Sequence, residues 1–178
     1  MEYFFYARDA PGVGELRWAL HEEHWSFMDA YDDQFIARGP TLTDDGSAPT
    51  GSVHIVDLPS AEAVRVFAFD EPNYRAGVYE SILIRRFRNS VGRTMWEYAG
   101  GSSGFLVLGH GRPQPAPVPP IEVDGLIVGG SLLSDDGTEW VGTALLVERP
   151  DRAAAERILD PAGYTSVEVH PWEFGGRR

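Results

Sequence analysis

Residues 35–56 read FIARGPTLTDDGSAPTGSVHIV and residues 126–147 read LIVGGSLLSDDGTEWVGTALLV. Laid on each other at an offset of 91 positions, without a gap, the two stretches agree at eight of twenty-two positions, among them Gly39/Gly130, Asp44/Asp135, Asp45/Asp136, Gly46/Gly137 and Gly51/Gly142. Chance alone gives roughly one or two. Asp-Asp-Gly supplies the polar and positive-φ residues of a turn between strands, so a β-hairpin is predicted twice. The same offset pairs Pro59 with Pro150 and Ala63 with Ala154, carrying the likeness beyond each hairpin. The chain reads as an internal duplication.

Working outward, Val53, Ile55 and Val56 in one copy and Ala144 to Val147 in the other form buried strands that stop at proline. Ser60 and Asp151 then stand where N-caps are needed, ahead of helices predicted over 61–69 and 152–159. Ile82 to Phe87 and Val167 to Trp172 supply closing strands, the second after a six-residue deletion, and Tyr3 to Ala7 and Phe105 to Leu108 supply opening ones. The first copy therefore has the order β-α-β-β-α-β of a ferredoxin-like, split βαβ unit, and the fold class is α+β. In the second copy the stretch from Gly111 to Pro120 holds five prolines, which excludes most of its first helix. The expected organisation is a first repeat over 1–98, a Gly/Ser linker over 99–104 and a degenerate repeat over 105–178.

Composition narrows the function classes. Hydrophobic residues make up 43% and charged residues 24% of the 178, the balance of a folded soluble protein. A net charge of -12 argues against nucleic acid or an anionic membrane as partner. With no cysteine, thiolate chemistry and Cys-ligated metals are excluded. The start Met1-Glu2-Tyr3 lacks the basic charge of a signal peptide and no apolar run reaches membrane-spanning length, so a cytoplasmic location is expected.

Chemistry points to the first half. Leu16, Leu20, His24, Met28, Tyr31 and Phe35 recur at three- and four-residue spacing, as on one apolar helix stripe, which places an imidazole on the face turned to the sheet. Such a histidine is either a hydrogen-bonded core residue or a general acid/base. His21-Glu22-Glu23-His24 has its histidines three apart rather than the four of a zinc helix, with no third ligand at a useful spacing, so no metal is expected. The G-x-S-x-G elbow, the P-loop and the dinucleotide fingerprint are all missing, and no cofactor is expected.

Tyr3-Phe4-Phe5-Tyr6-Ala7-Arg8, His24, Gly39-Pro40, Gly51 and the run Glu71-Pro72-Asn73-Tyr74-Arg75-Ala76-Gly77-Val78-Tyr79-Glu80 together resemble the YciI-like, YCII-related family over about the first ninety residues. That family is similar to muconolactone isomerase in its dimeric α/β-barrel architecture. The resemblance implies that the two repeats pack as a pseudo-dimeric barrel within one chain, and association of whole chains as a homodimer stays open. It also implies a His/carboxylate active-site pair, carried onto His24 and position 71. There the family's usual Asp is Glu71, preceded by Asp70, and either carboxylate can partner the imidazole. The arginine usual three residues before the family histidine is His21 here. Arg38 or Arg75 could hold an anionic group, and Tyr31, Tyr74 and Tyr79 could line a pocket. The expected activity is cofactor-free proton transfer, of isomerase, lyase or dehydratase type, on a small cyclic or aromatic-derived molecule. A non-catalytic ligand-binding or accessory role for the same fold is the alternative.

Overall fold

The computed structural model describes residues 1–119 and 122–177; Pro120 of the proline-rich stretch and position 178 of the second repeat lie outside the described residues. Eight antiparallel strands close into one barrel. The first half supplies β1 (Glu2–Asp9), β2 (Phe35–Leu42), β3 (Pro49–Asp57) and β4 (Tyr79–Asn89), and the second β5 (Ser103–Pro115), β6 (Leu126–Leu133), β7 (Glu139–Val147) and β8 (Ser166–Glu173). Around the barrel they run β4-β1-β3-β2 and then β8-β5-β7-β6, the same order twice, with seams at β2·β8 and β6·β4. The glycine-serine stretch after Tyr98 passes into β5 at Ser103, because the strand is needed to pair with β8 down to Glu173.

The ladders repeat as well as the order. Phe5 stands between His54 and Ile84, and Val107 between Leu145 and Val169. Both hairpins carry irregularities at matching places, Phe35/Ala37 with Thr41/Leu42 and Leu126/Val128 with Leu132/Leu133. At the seams Thr41 faces Trp172 and Leu132 faces Phe87, positions that correspond under the internal repeat. The turns also agree. Asp45 accepts from Thr43 Oγ1, Ser47 N and Ser47 Oγ, while Asp136 accepts from Ser134 Oγ, Thr138 N and Thr138 Oγ1. Those bonds hold both carboxyls down to about 2. Gly46 and Gly137 come next at φ 71° and 77°, the left-handed values that the Asp-Asp-Gly motif predicts.

Strand alternation sorts the apolar side chains into three cores. Phe4, Ala37, Val53, Phe87, Leu106, Val128, Ala144 and Trp172, one from each strand, fill the barrel interior. Burying one such large side chain contributes about 1.5–3 kcal/mol, which makes this shared interior the main bond between the halves. On the outer face of the first half, Phe5, Val56 and their neighbours pack under helices α2 (His21–Asp29) and α3 (Ala61–Phe69). Ser60 caps α3 by accepting from Ala63 N at 3.1 Å. The second half covers its outer face with α5 (Arg152–Glu156), capped by Asp151 and shorter than the predicted 152–159. Between β5 and β6 the described residues form no helix, and β5 itself extends through Pro113 and Pro115.

The single helical stripe expected from Leu16 to Phe35 is not formed. The segment breaks at Leu20 into α1 (Gly14–Ala19) and α2, and Phe35 opens β2. Leu16 is 40% exposed, because the break turns α1 away from the sheet. Among the described residues no helix is long and apolar enough to cross a membrane.

The alternation that sends Phe4 and Tyr6 inward brings Arg8, His110, Glu168 and His170 together at one end of the interior. Glu168 accepts from His110 Nε2 at 2.8 Å and His170 Nε2 at 3.1 Å and pairs with Arg8 across the barrel. The bonds from His170, Arg8 and His110 outweigh burial and lower its carboxyl from an ordinary 4.5 to about 2. A folded-state pKa below the unfolded one gives stability that is present above the unfolded value and lost as pH falls towards the folded one. Unfolding free energies from urea titration are therefore expected to drop between pH 4.5 and about 2, by on the order of 2 kcal/mol after solvent screening, and Glu168→Gln should remove that part of the decline.

Candidate active site

The candidate site lies outside the barrel, on the face of β3 that carries Ser52 and His54 and beneath α1 and α2. Glu71 precedes α4 (Pro72–Arg75) and caps it, accepting from Asn73 N at 3.1 Å and Tyr74 N at 2.9 Å. The cap fixes the carboxylate, and His24 Nδ1–H donates to its Oε1 at 2.6 Å. A carboxylate can only accept, so this bond keeps the proton on Nδ1 and leaves the Nε2 lone pair unused. Nε2 makes no hydrogen bond among the described residues, and the ring lines a cavity of about 350 Å³. The His24 side chain is 14% exposed, at the cavity wall rather than sealed in the core.

Glu71, not Asp70, is the partner. Asp70 is exposed at the C-cap of α3, because Pro72 sets the helix start one residue later and turns Glu71 inward. The other expected residues divide in the same way. Arg38 lines the cavity, buried and ion-paired with Asp32 at 3.2 Å and Asp29 at 3.8 Å. Tyr79 is partly buried and bonds two residues that line the cavity, accepting from Asn73 Nδ2 at 3.2 Å and donating to Ser52 Oγ at 3.3 Å, with its phenol pushed up by desolvation of the hydroxyl. Three others do not line this cavity. Tyr31 packs edge-on against Phe67 in the outer core; Tyr74 is 40% exposed against Phe69; Arg75 is solvent-facing. A four-residue helix presents only one face to the sheet, and Asn73 takes it.

Several site residues were not anticipated. Arg17, in the last turn of α1, donates to Asp9 Oδ1 at 2.7 Å and Ser52 Oγ at 2.8 Å and reaches the cavity wall. Burial raises the Asp9 carboxyl against the pull of Arg17. His54 lies 6.0 Å from His24, ring centre to ring centre, and burial holds it well below its usual range, so it is neutral. His21 stacks on Trp18 at 4.5 Å, and no three ligand-type side chains converge as a metal site among the described residues. The spacing signal existed: Arg17 is two helical turns before His24, and Ser52 alternates with His54. The far wall was not legible at all. It comes from the second half, where residues 173–176 cross the first-half hairpin and Gly175 N donates to Arg38 O at 3.0 Å.

Comparison with known proteins identifies the relatives of the first half. The family described as YCII-related domain matches residues 1–88. Protein YciI of Escherichia coli is 30% identical over 95 residues, which cover 97% of that protein and 49% of this chain. This chain belongs to the YCII-related family. An uncharacterised Haemophilus influenzae protein is 27% identical over 95 residues, with the same coverage of both chains. Among solved structures, a 5-chloro-2-hydroxyhydroquinone dehydrochlorinase of Burkholderia phenoliruptrix is 24% identical, with a TM-score of 0.48 over 52% of this chain and 99% of its own. In this YCII-related chain the family match thus ends at the close of β4, and the second half completes the barrel.

Proposed function

We propose that the protein is a cofactor-free enzyme that moves a proton on a small cyclic or aromatic-derived molecule, and that its second half is a duplicated copy retained to complete the barrel. The observation that carries the reading is the 2.6 Å bond from His24 to a buried, backbone-capped Glu71 on the wall of a ligand-sized cavity. Nε2 would take a proton from a carbon next to a carbonyl; the ionised carboxylate stabilises the imidazolium; and the proton returns to the same or a neighbouring atom. Met28, Trp25, Pro40 and Phe174 supply an apolar wall that keeps water from competing.

The test is hydrogen–deuterium exchange at carbon, followed by NMR in heavy water over a panel of cyclic enones, lactones and keto acids. Catalysed exchange by the wild type that falls about 100-fold or more in His24→Gln is the expected result. Binding of panel members without any catalysed exchange would instead favour the ligand-binding role.

A further inference from the structure

We infer that Arg17 is the anion anchor of this site, holding a carboxylate or enolate oxygen of the substrate beside the atom that His24 deprotonates. The inference rests on the proton-transfer reading for the second half of that sentence only; the anion site stands on its own geometry.

A guanidinium has five N–H donors. Three hydrogen bonds are made by Arg17 among the described residues: NH1 to Asp9 Oδ1 at 2.7 Å, NH2 to Ser52 Oγ at 2.8 Å and NH2 to Gly51 O at 3.3 Å. Two donors stay unused, on a side chain only 14% exposed that lines the same cavity as His24. Its orientation is fixed relative to the imidazole by a continuous chain of contacts. Ser52 accepts from Tyr79, Tyr79 accepts from Asn73, and the Asn73 backbone N–H bonds the Glu71 carboxylate that holds His24. Such a pre-positioned cation is what a developing oxyanion needs, since nothing has to reorganise when the charge forms.

The internal repeat supplies a control. Thr143 holds the place of Ser52 and Tyr164 that of Tyr79, and their hydroxyls bond at 3.0 Å as the first-half pair does at 3.3 Å. The fold therefore keeps the tyrosine–hydroxyl pair in both halves. Leu145, buried and apolar, holds the place of His54, and the described second half has no helix to carry counterparts of Arg17 or His24. To the shared scaffold the first half adds a cation, its Asp9 support and the His/Glu pair. Arg38 is the competing cation in the cavity, but the carboxylates of Asp29 and Asp32 already face it.

Benzoate and benzamide differ in charge and little else, so their affinities, read by calorimetry, test the anchor. Wild type should bind benzoate about tenfold or more tightly than benzamide, the scale of one charge-assisted hydrogen-bonded pair. Arg17→Gln should erase that preference while leaving benzamide within about twofold, and His24→Gln should keep it. A crystal soaked in benzoate should place the carboxylate on Arg17. Equal affinity for the two probes in the wild type, including no binding of either, overturns the inference. So does a carboxylate seated on Arg38, or an Arg17→Gln variant that loses both probes equally. Benzoate preference without catalysed carbon exchange would remove the proton-transfer reading and leave the anchor.

Discussion

Replacing Gly39 or Gly130 by alanine is expected to cost about 3 kcal/mol or more, the largest stability loss of any single methyl addition to the strands. The two glycines occupy the same position of the repeat, one at each seam of the barrel. A Cβ on Gly39 would lie 1.9 Å from the carbonyl oxygen of Glu173, and a Cβ on Gly130 1.9 Å from that of Arg88. Both obstructions are backbone, on β8 and β4, so no side chain can swing aside, and relief requires the seam strands to move apart. Ordinary overpacking costs 1–3 kcal/mol, and a seam that cannot relax belongs at or above its upper end. Chemical denaturation is the measurement. Gly163→Ala, where an added Cβ meets nothing within 4 Å, is the control expected to stay near wild type. If Gly39→Ala and Gly130→Ala match that control, the halves are not held at the distance described.

The second large effect concerns Glu71. Glu71→Gln should lower catalysed carbon exchange by about 100-fold, within the range of general acid–base groups, because the amide no longer carries the charge that stabilises imidazolium. Its stability cost should be much smaller, about 1 kcal/mol, since the amide oxygen can still accept from the α4 backbone that the carboxylate caps. Glu71→Ala loses the cap as well, and its denaturation midpoint should fall below that of Glu71→Gln. Asp70→Asn is the discriminating variant. That side chain is exposed and takes no part in the pair, so exchange should remain near wild type. Exchange lost in Asp70→Asn and retained in Glu71→Gln would reverse the assignment.

Local chemistry decided most of what could be read in advance. Asp-Asp-Gly specifies its turn through bonds that span only five residues, Thr43 to Ser47 and Ser134 to Thr138, and strand alternation needs only neighbouring side chains. The hairpins, the capped helices, the missing second-half helix and a pairing of His24 with one of the neighbouring carboxylates Asp70 and Glu71 were therefore legible, the last through the family resemblance. The helix break at Leu20 was not. Periodicity cannot distinguish one amphipathic helix from two that meet at an angle, and the sheet beneath selects between them.

The complete candidate site belongs to the tertiary structure. Asp9, Arg17, Ser52 and the Glu71–Asn73 cap come from β1, α1, β3 and α4, and the bonds that join them form only when those elements converge. Closure of the barrel decided the rest, because the β2·β8 seam alone brings residues 173–176 against Gly39 and Arg38 to make the far cavity wall. The repeated hairpin and the acidic cap of α4 were already specified along the chain, since each depends on interactions within one element or one turn. Which carboxylate meets the histidine, which arginine shares its cavity and which tyrosines stay outside depended on contacts between residues tens of positions apart, and only the folded barrel brings those together.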